Sequence, residues 1–203
     1  MKKTLALIAT TTTLLSGCGG GGGGGTTAAP LPPVALPLAA YVGEWAGECA
    51  DHQRDGAVVK AVGNNALSLA ARTDYYDKAD CSGAIVATER SSADIAMTYV
   101  SSVDSSVALG PGVAAKTIKV DQVNVVVPAS TTTLSGSAVS TVTQNGVQLQ
   151  CVSYSNGERA CANTQGGQVG GSGPGGLYAT ATDMYTLISS GSGYTFEQRF
   201  SKK

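Results

Sequence analysis

Val147-Gln148-Leu149-Gln150-Cys151-Val152-Ser153-Tyr154-Ser155-Asn156-Gly157-Glu158-Arg159-Ala160-Cys161 is the stretch on which the fold turns. Val147–Tyr154 alternates and carries β-forming residues, so it reads as a strand. Ser155-Asn156-Gly157 suits a three-residue hairpin loop with Gly at its last, left-handed position. A second strand then begins at Glu158. This register sets Tyr154 opposite Glu158 and, stepping outward, Cys151 opposite Cys161. A two-residue Asn-Gly turn would slip the register by one and part the two sulfurs. The hairpin therefore predicts a Cys151–Cys161 disulfide, and exclusion leaves Cys49 to pair with Cys81. The second pair closes the longer loop, for which chain entropy gives ~3–4 kcal/mol. Zinc is the rival use of four cysteines, but no Cys-x-x-Cys spacing is present.

The same pattern spreads outward from the hairpin. Helix signals are weak, while period-2 alternation and β-branched residues recur. Strands are expected at 43–50, 58–62, 66–73, 84–90, 94–101, 116–127, 131–142, 147–154, 159–163, 177–182, 184–189 and 194–200. Gly, Asn, Asp, Pro and Ser mark the turns between them, as in Gly63-Asn64-Asn65 and Gly110-Pro111-Gly112. The run from Gly166 to Gly176 is low-complexity and reads as a mobile surface loop. The fold class is all-β. An antiparallel β-barrel is preferred, because closure removes exposed edges where few charges guard them; a β-sandwich is the alternative. These strands are too weakly apolar on one face for a membrane-spanning barrel.

Charged residues make up 13% of the chain, against the usual ~25%. A β-domain from 39 to 203 is long enough to bury one core. The core would rest on Val, Leu, Ile and Ala, because there are only one Trp, two Phe and three Met.

The N-terminal residues carry a different message. Lys2 and Lys3 are followed by an apolar run to Leu15, then Leu15-Ser16-Gly17-Cys18. A basic start, an apolar core and small residues at a cut site describe a secretory signal peptide. Ending in cysteine, the segment resembles the lipobox of bacterial lipoproteins. That resemblance implies a signal peptide at 1–17 and a mature chain starting at Cys18, bearing about three palmitate-type acyl chains, enough for stable anchoring. It also implies the cell outer membrane, since Gly19 stands where an Asp would favour inner-membrane retention. Seven consecutive glycines (Gly19–Gly25) and a Pro-rich segment then make 18–38 a tether. They do not form a phosphate loop, because no strand precedes and no Lys-Ser/Thr follows. Without Lys2 and Lys3 the 13 basic residues fall to 11 against 14 acidic, a net charge near −3. Such a balance leaves no electrostatic footprint for nucleic acid.

The first strand reads Tyr41-Val42-Gly43-Glu44-Trp45. Gly43-x-Trp45 resembles the opening signature of lipocalins and related calycin barrels. The resemblance implies that Trp45 plugs one end of a barrel and that an arginine of the last strand, Arg199, packs over it. The chain departs from that family in lacking its second signature and in having more strands than eight. Tyr75 to Gly83 resembles a turn of lipoproteins that begin with such a strand, and that likeness carries no activity.

Other constellations point to no reaction. Asp74, Asp77 and Asp80 match no calcium loop. His52 is the single histidine, with Asp51 and Asp55 nearby, and no nucleophile motif accompanies it. Glu44 and Glu48 would lie about 13 Å apart on a regular strand, too far for a glycosidase pair unless the strand bulges. The expectation is a non-catalytic envelope lipoprotein, needing no metal or cofactor, that binds a small apolar ligand. The alternative is a protein-interaction or inhibitor module acting through the 151–161 hairpin.

Overall fold

The computed structural model describes residues 36–163, 167–191 and 193–203. The leader, Cys18 and the tether up to residue 35 lie outside the described residues. The described residues belong to one compact unit.

After a short 3-10 turn at Ala39–Tyr41 come β1 (Gly43–Ala50), β2 (Gln53–Val62), β3 (Ala66–Tyr76), β4 (Ile85–Ser91), β5 (Ile95–Val107), β6 (Lys116–Val127), β7 (Thr132–Ser135), β8 (Val139–Gln144), β9 (Val147–Ser153), β10 (Arg159–Ala162), β11 (Gly171–Ala179), β12 (Asp183–Ser190) and β13 (Gly193–Lys202). Ten of them make one antiparallel sheet in the order β2-β1-β13-β12-β11-β6-β5-β3-β4-β7. β2 also pairs with β3 along its whole length, from Gln53 opposite Tyr75 to Val62 opposite Ala66. β3 serves two partners on its other edge, β5 at Ala66–Leu69 and β4 at Arg72–Tyr76. The remaining strands form a three-stranded sheet, β10-β9-β8.

The hairpin that opened the reading takes the expected register. Tyr154 accepts from Gly157 N–H and donates to Glu158 C=O, each at 3.0 Å, and Gly157 sits at φ 88°. Cys151 faces Cys161 across the ladder and bonds to it, and Cys49 bonds to Cys81. At the preceding turn Asn145 and Gly146 both take positive φ, the two left-handed residues of a type I′ hairpin.

Three strand readings are corrected. The stretch 131–142 is two strands in two different sheets, β7 and β8. Gly136 divides them at φ 152°, where a Cβ would lie 2.3 Å from Val86 O. The chain passes too close to β4 there for any side chain. The glycine run is not all loop, because Gly171–Gly176 belongs to β11 and pairs with β6 from Gly171 opposite Val127. A Cβ on Gly176 would come within 2.8 Å of the Tyr194 ring and of Val120, so glycine is what lets this strand lie in the sheet. Pro174 costs no ladder bond on the far edge, since β12 pairs only from Gly175 onward. Finally β5 runs past Ser101 to Val107, its serine-rich end still paired to β6.

The core falls into three clusters. The largest gathers Leu38, Tyr41, Trp45, Val59, Leu67, Leu69, Met97, Val123, Leu177, Met184 and Phe200. A second joins Tyr75, Ala87 and Leu134 to Val152 and Tyr154, seating the small sheet on β3, β4 and β7. A third, with Ile118, Val120 and Leu187, lies on the opposite face of β6 from Val123. Burying each such aliphatic side chain contributes roughly 1.5–3 kcal/mol.

Candidate ligand-binding cavity

Trp45 anchors the largest cluster and is 1% exposed. Its Nε1 donates to Tyr41 O at 2.7 Å, which the 3-10 turn at Ala39–Tyr41 holds in reach. Gly43 precedes it at φ 143°, a conformation that side-chain-bearing residues rarely adopt. The glycine of Gly43-x-Trp45 is thus a backbone requirement of the strand's entry. Tyr41 OH donates to Asp121 Oδ2 at 2.6 Å, Ser102 donates to Asp121 Oδ1 at 2.5 Å, and Tyr99 reaches Ser102 at 2.9 Å. Burial, then donation to Asp121, pushes the Tyr41 phenol far above its ordinary value. This network floors the cluster with satisfied polar groups.

The cation over the indole is Lys202, not Arg199. Lys202 pairs with Trp45 in the ladder, and its Nζ stands 5.6 Å from the ring centroid. Phe200 is buried, so by alternation Lys202 shares its face and Arg199 takes the other. Arg199 is 44% exposed and donates to Asp183 at 2.9 Å, with Glu48 at 4.0 Å. Donation from Thr182 and then Arg199 holds the Asp183 carboxyl below the usual carboxylate range.

Beside the core lies a cavity of about 390 Å³, within the size range of small-molecule sites. Its inner wall is apolar: Ala57, Leu69, Met97, Val123, Val125, Leu177 and Phe200. Its rim is polar. Asp55 accepts from Thr73 at 2.9 Å and from Gln198 at 3.0 Å, so β2, β3 and β13 are tied together there. Gly47 of β1 lies beneath this bridge, where a Cβ would sit 3.2 Å from Gln198 Nε2. Arg72 lies across Gly56 and donates to Asp74 at 3.1 Å. Glu89 accepts from Tyr75 OH at 2.7 Å, and burial together with that bond raises the Tyr75 phenol above its ordinary value.

The remaining candidates lie elsewhere and apart. Glu44 and Glu48 are exposed on β1, and the β1–β2 register shifts between Ala46 and Cys49, the stretch that holds Glu48. The three aspartates face different partners: Asp74 meets Arg72 and Thr88, Asp77 meets Ser155, and Asp80 meets Ser82. Among the described residues no group of three His, Cys, Asp or Glu side chains is placed to hold a metal. His52 is 3% exposed and, like Asp51, sits at positive φ in the β1–β2 turn. Its Nδ1 donates to Tyr76 O at 2.8 Å, its ring stacks on Tyr154 at 3.9 Å, and Nε2 is 3.4 Å from Glu158. With Ser155 bonded to Asp77, these contacts dock the hairpin tip on the β1–β2 turn and the β3–β4 loop.

The sequence does not point to the roles of Tyr41, Asp121 and Gln198; Asp55 reads there only as a neighbour of His52, and Lys202 reads as a solvated tail residue, whereas it stands over Trp45. Asp121 left a signal, being a lone carboxylate on the strand face that carries Val123 and Val125. The others depend on long-range register. Compared with models of known families, with curated proteins and with solved structures, the chain finds no match.

Proposed function

We propose that the protein is a lipid-anchored envelope protein whose β-domain binds a small apolar molecule without catalysing a reaction. The observation that carries this reading is the 390 Å³ cavity with its apolar wall and polar rim. Two further points support it. The β2–β3 pairing links the two ends of the run β2-β1-β13-β12-β11-β6-β5-β3, which favours a closed, lipocalin-like barrel over a sandwich. The basic, apolar and small-residue order ending at Cys18 favours acylation and an outer-membrane address. The alternative, a protein-interaction module working through 153–159, is less favoured because Tyr154 and Ser155 are engaged internally.

The test is a titration with N-phenyl-1-naphthylamine, a neutral dye that brightens in apolar sites. The full chain carries Cys18→Ser, so that no acyl chain competes. Saturable binding of one dye per chain, weakened at least about tenfold by Val125→Phe, is expected. Absence of saturable binding, or binding unchanged by Val125→Phe, overturns the ligand reading. Anchoring is tested apart: Cys18→Ser shifts the expressed protein from the membrane to the soluble fraction.

A further inference from the structure

The charges at the rim specify the head group that an apolar guest must carry. Among the described residues, three carboxylates, Asp55, Glu89 and Glu197, line the cavity against one guanidinium, Arg72. Arg72 is committed, because its Nε lies 3.1 Å from Asp74 Oδ2 and the pair is largely withdrawn from solvent, at 18% and 6% side-chain exposure. Asp74 therefore cancels the one positive charge at the rim. The donors to Asp55 and Glu89 are neutral, namely Thr73, Gln198 and the Tyr75 phenol, so they satisfy lone pairs without removing charge. Among the described residues no lysine lines the cavity. A carboxylate head would meet like charge from β2, β4 and β13, and an ammonium head would meet opposite charge.

We infer that the cavity takes an amphiphile with an apolar body and a cationic head, and discriminates against fatty carboxylates. This rests on the ligand-binding reading above and adds the class of ligand to it. The rim, not the wall, makes the distinction, so discrimination is electrostatic and screened by salt.

The experiment displaces N-phenyl-1-naphthylamine from the Cys18→Ser chain with three ten-carbon probes: decylamine, 1-decanol and decanoate, at pH 7.5 and low salt. The amine is then protonated and the acid ionised. The expected order of affinity is decylamine, then decanol, then decanoate, with at least about tenfold between first and last. In Glu89→Gln/Glu197→Gln, and in 0.5 M salt, that gap narrows to about threefold or less. Equal affinities, a preference for decanoate, or a gap that neither change narrows overturns the head-group inference and leaves the pocket standing. Failure of all three probes to displace a dye that binds saturably overturns the inference and shows that the dye site is not the amphiphile cavity. A dye that never binds is the failure of the underlying reading instead.

Discussion

Tyr41 and Trp45 show how single side chains define this domain's floor. The indole N–H is satisfied by Tyr41 O, and the Tyr41 phenol by Asp121. Tyr41→Phe leaves Asp121 one donor short in a half-buried place, which costs about 1–3 kcal/mol, read as a lowered urea midpoint. The phenols also set a pH dependence. Tyr41 and Tyr75 are both raised above their unfolded value near 10, mainly by burial. Their contribution is complete below pH ~10 and is lost as pH rises beyond it. Urea midpoints of the wild type therefore fall between pH 9 and 11, and those of Tyr41→Phe/Tyr75→Phe fall less. Gly43-x-Trp45 was legible at this scale because it is local. Lys202 was not, because the register between the first and last strands cannot be read from either alone. Arg199, one residue from buried Phe200, lands on the outer face.

Among the elements, those set by neighbours in sequence were readable and those set by distant contact were not. The 147–161 hairpin needs only its turn chemistry and alternation, and its cysteine pairing follows from that register. β11 looked like a loop because its glycines answer to Tyr194 and Val120, far away in the chain. The split of 131–142 likewise hangs on the approach of Gly136 to β4. Gly136→Ala combines a forced φ with a backbone clash and lowers stability by at least about 2 kcal/mol, measurable as a drop in Tm. The disulfides give a graded prediction. Cys49–Cys81 spans 32 residues and Cys151–Cys161 spans 10. Loop entropy then makes removal of the first by paired Cys→Ala changes about 1 kcal/mol more costly than removal of the second, seen in denaturant midpoints.

For the whole molecule, β1–β2, β2–β3, β3–β4, β5–β6, β11–β12 and β12–β13 are pairings of consecutive strands, which is why alternation and turn signals point to an antiparallel all-β fold, whereas β1–β13, β11–β6, β5–β3 and β4–β7 join strands distant in the chain. The insertion of β4 and β7 and the separate three-stranded sheet were hidden, since β3 must divide one edge between two partners. The cavity was hidden too, because its wall comes from strands spread between Ala57 and Phe200. A guest bound there raises the unfolding free energy by mass action, about 2.7 kcal/mol at a hundredfold excess over Kd. The most direct measurement is methyl NMR of the Cys18→Ser chain with 1-decanol. The account predicts intermolecular NOEs from the alkyl chain to the methyls of Met97, Leu69, Val123 and Val125. NOEs confined to outer-face residues such as Val62 and Val126, or none at saturating decanol, would contradict it.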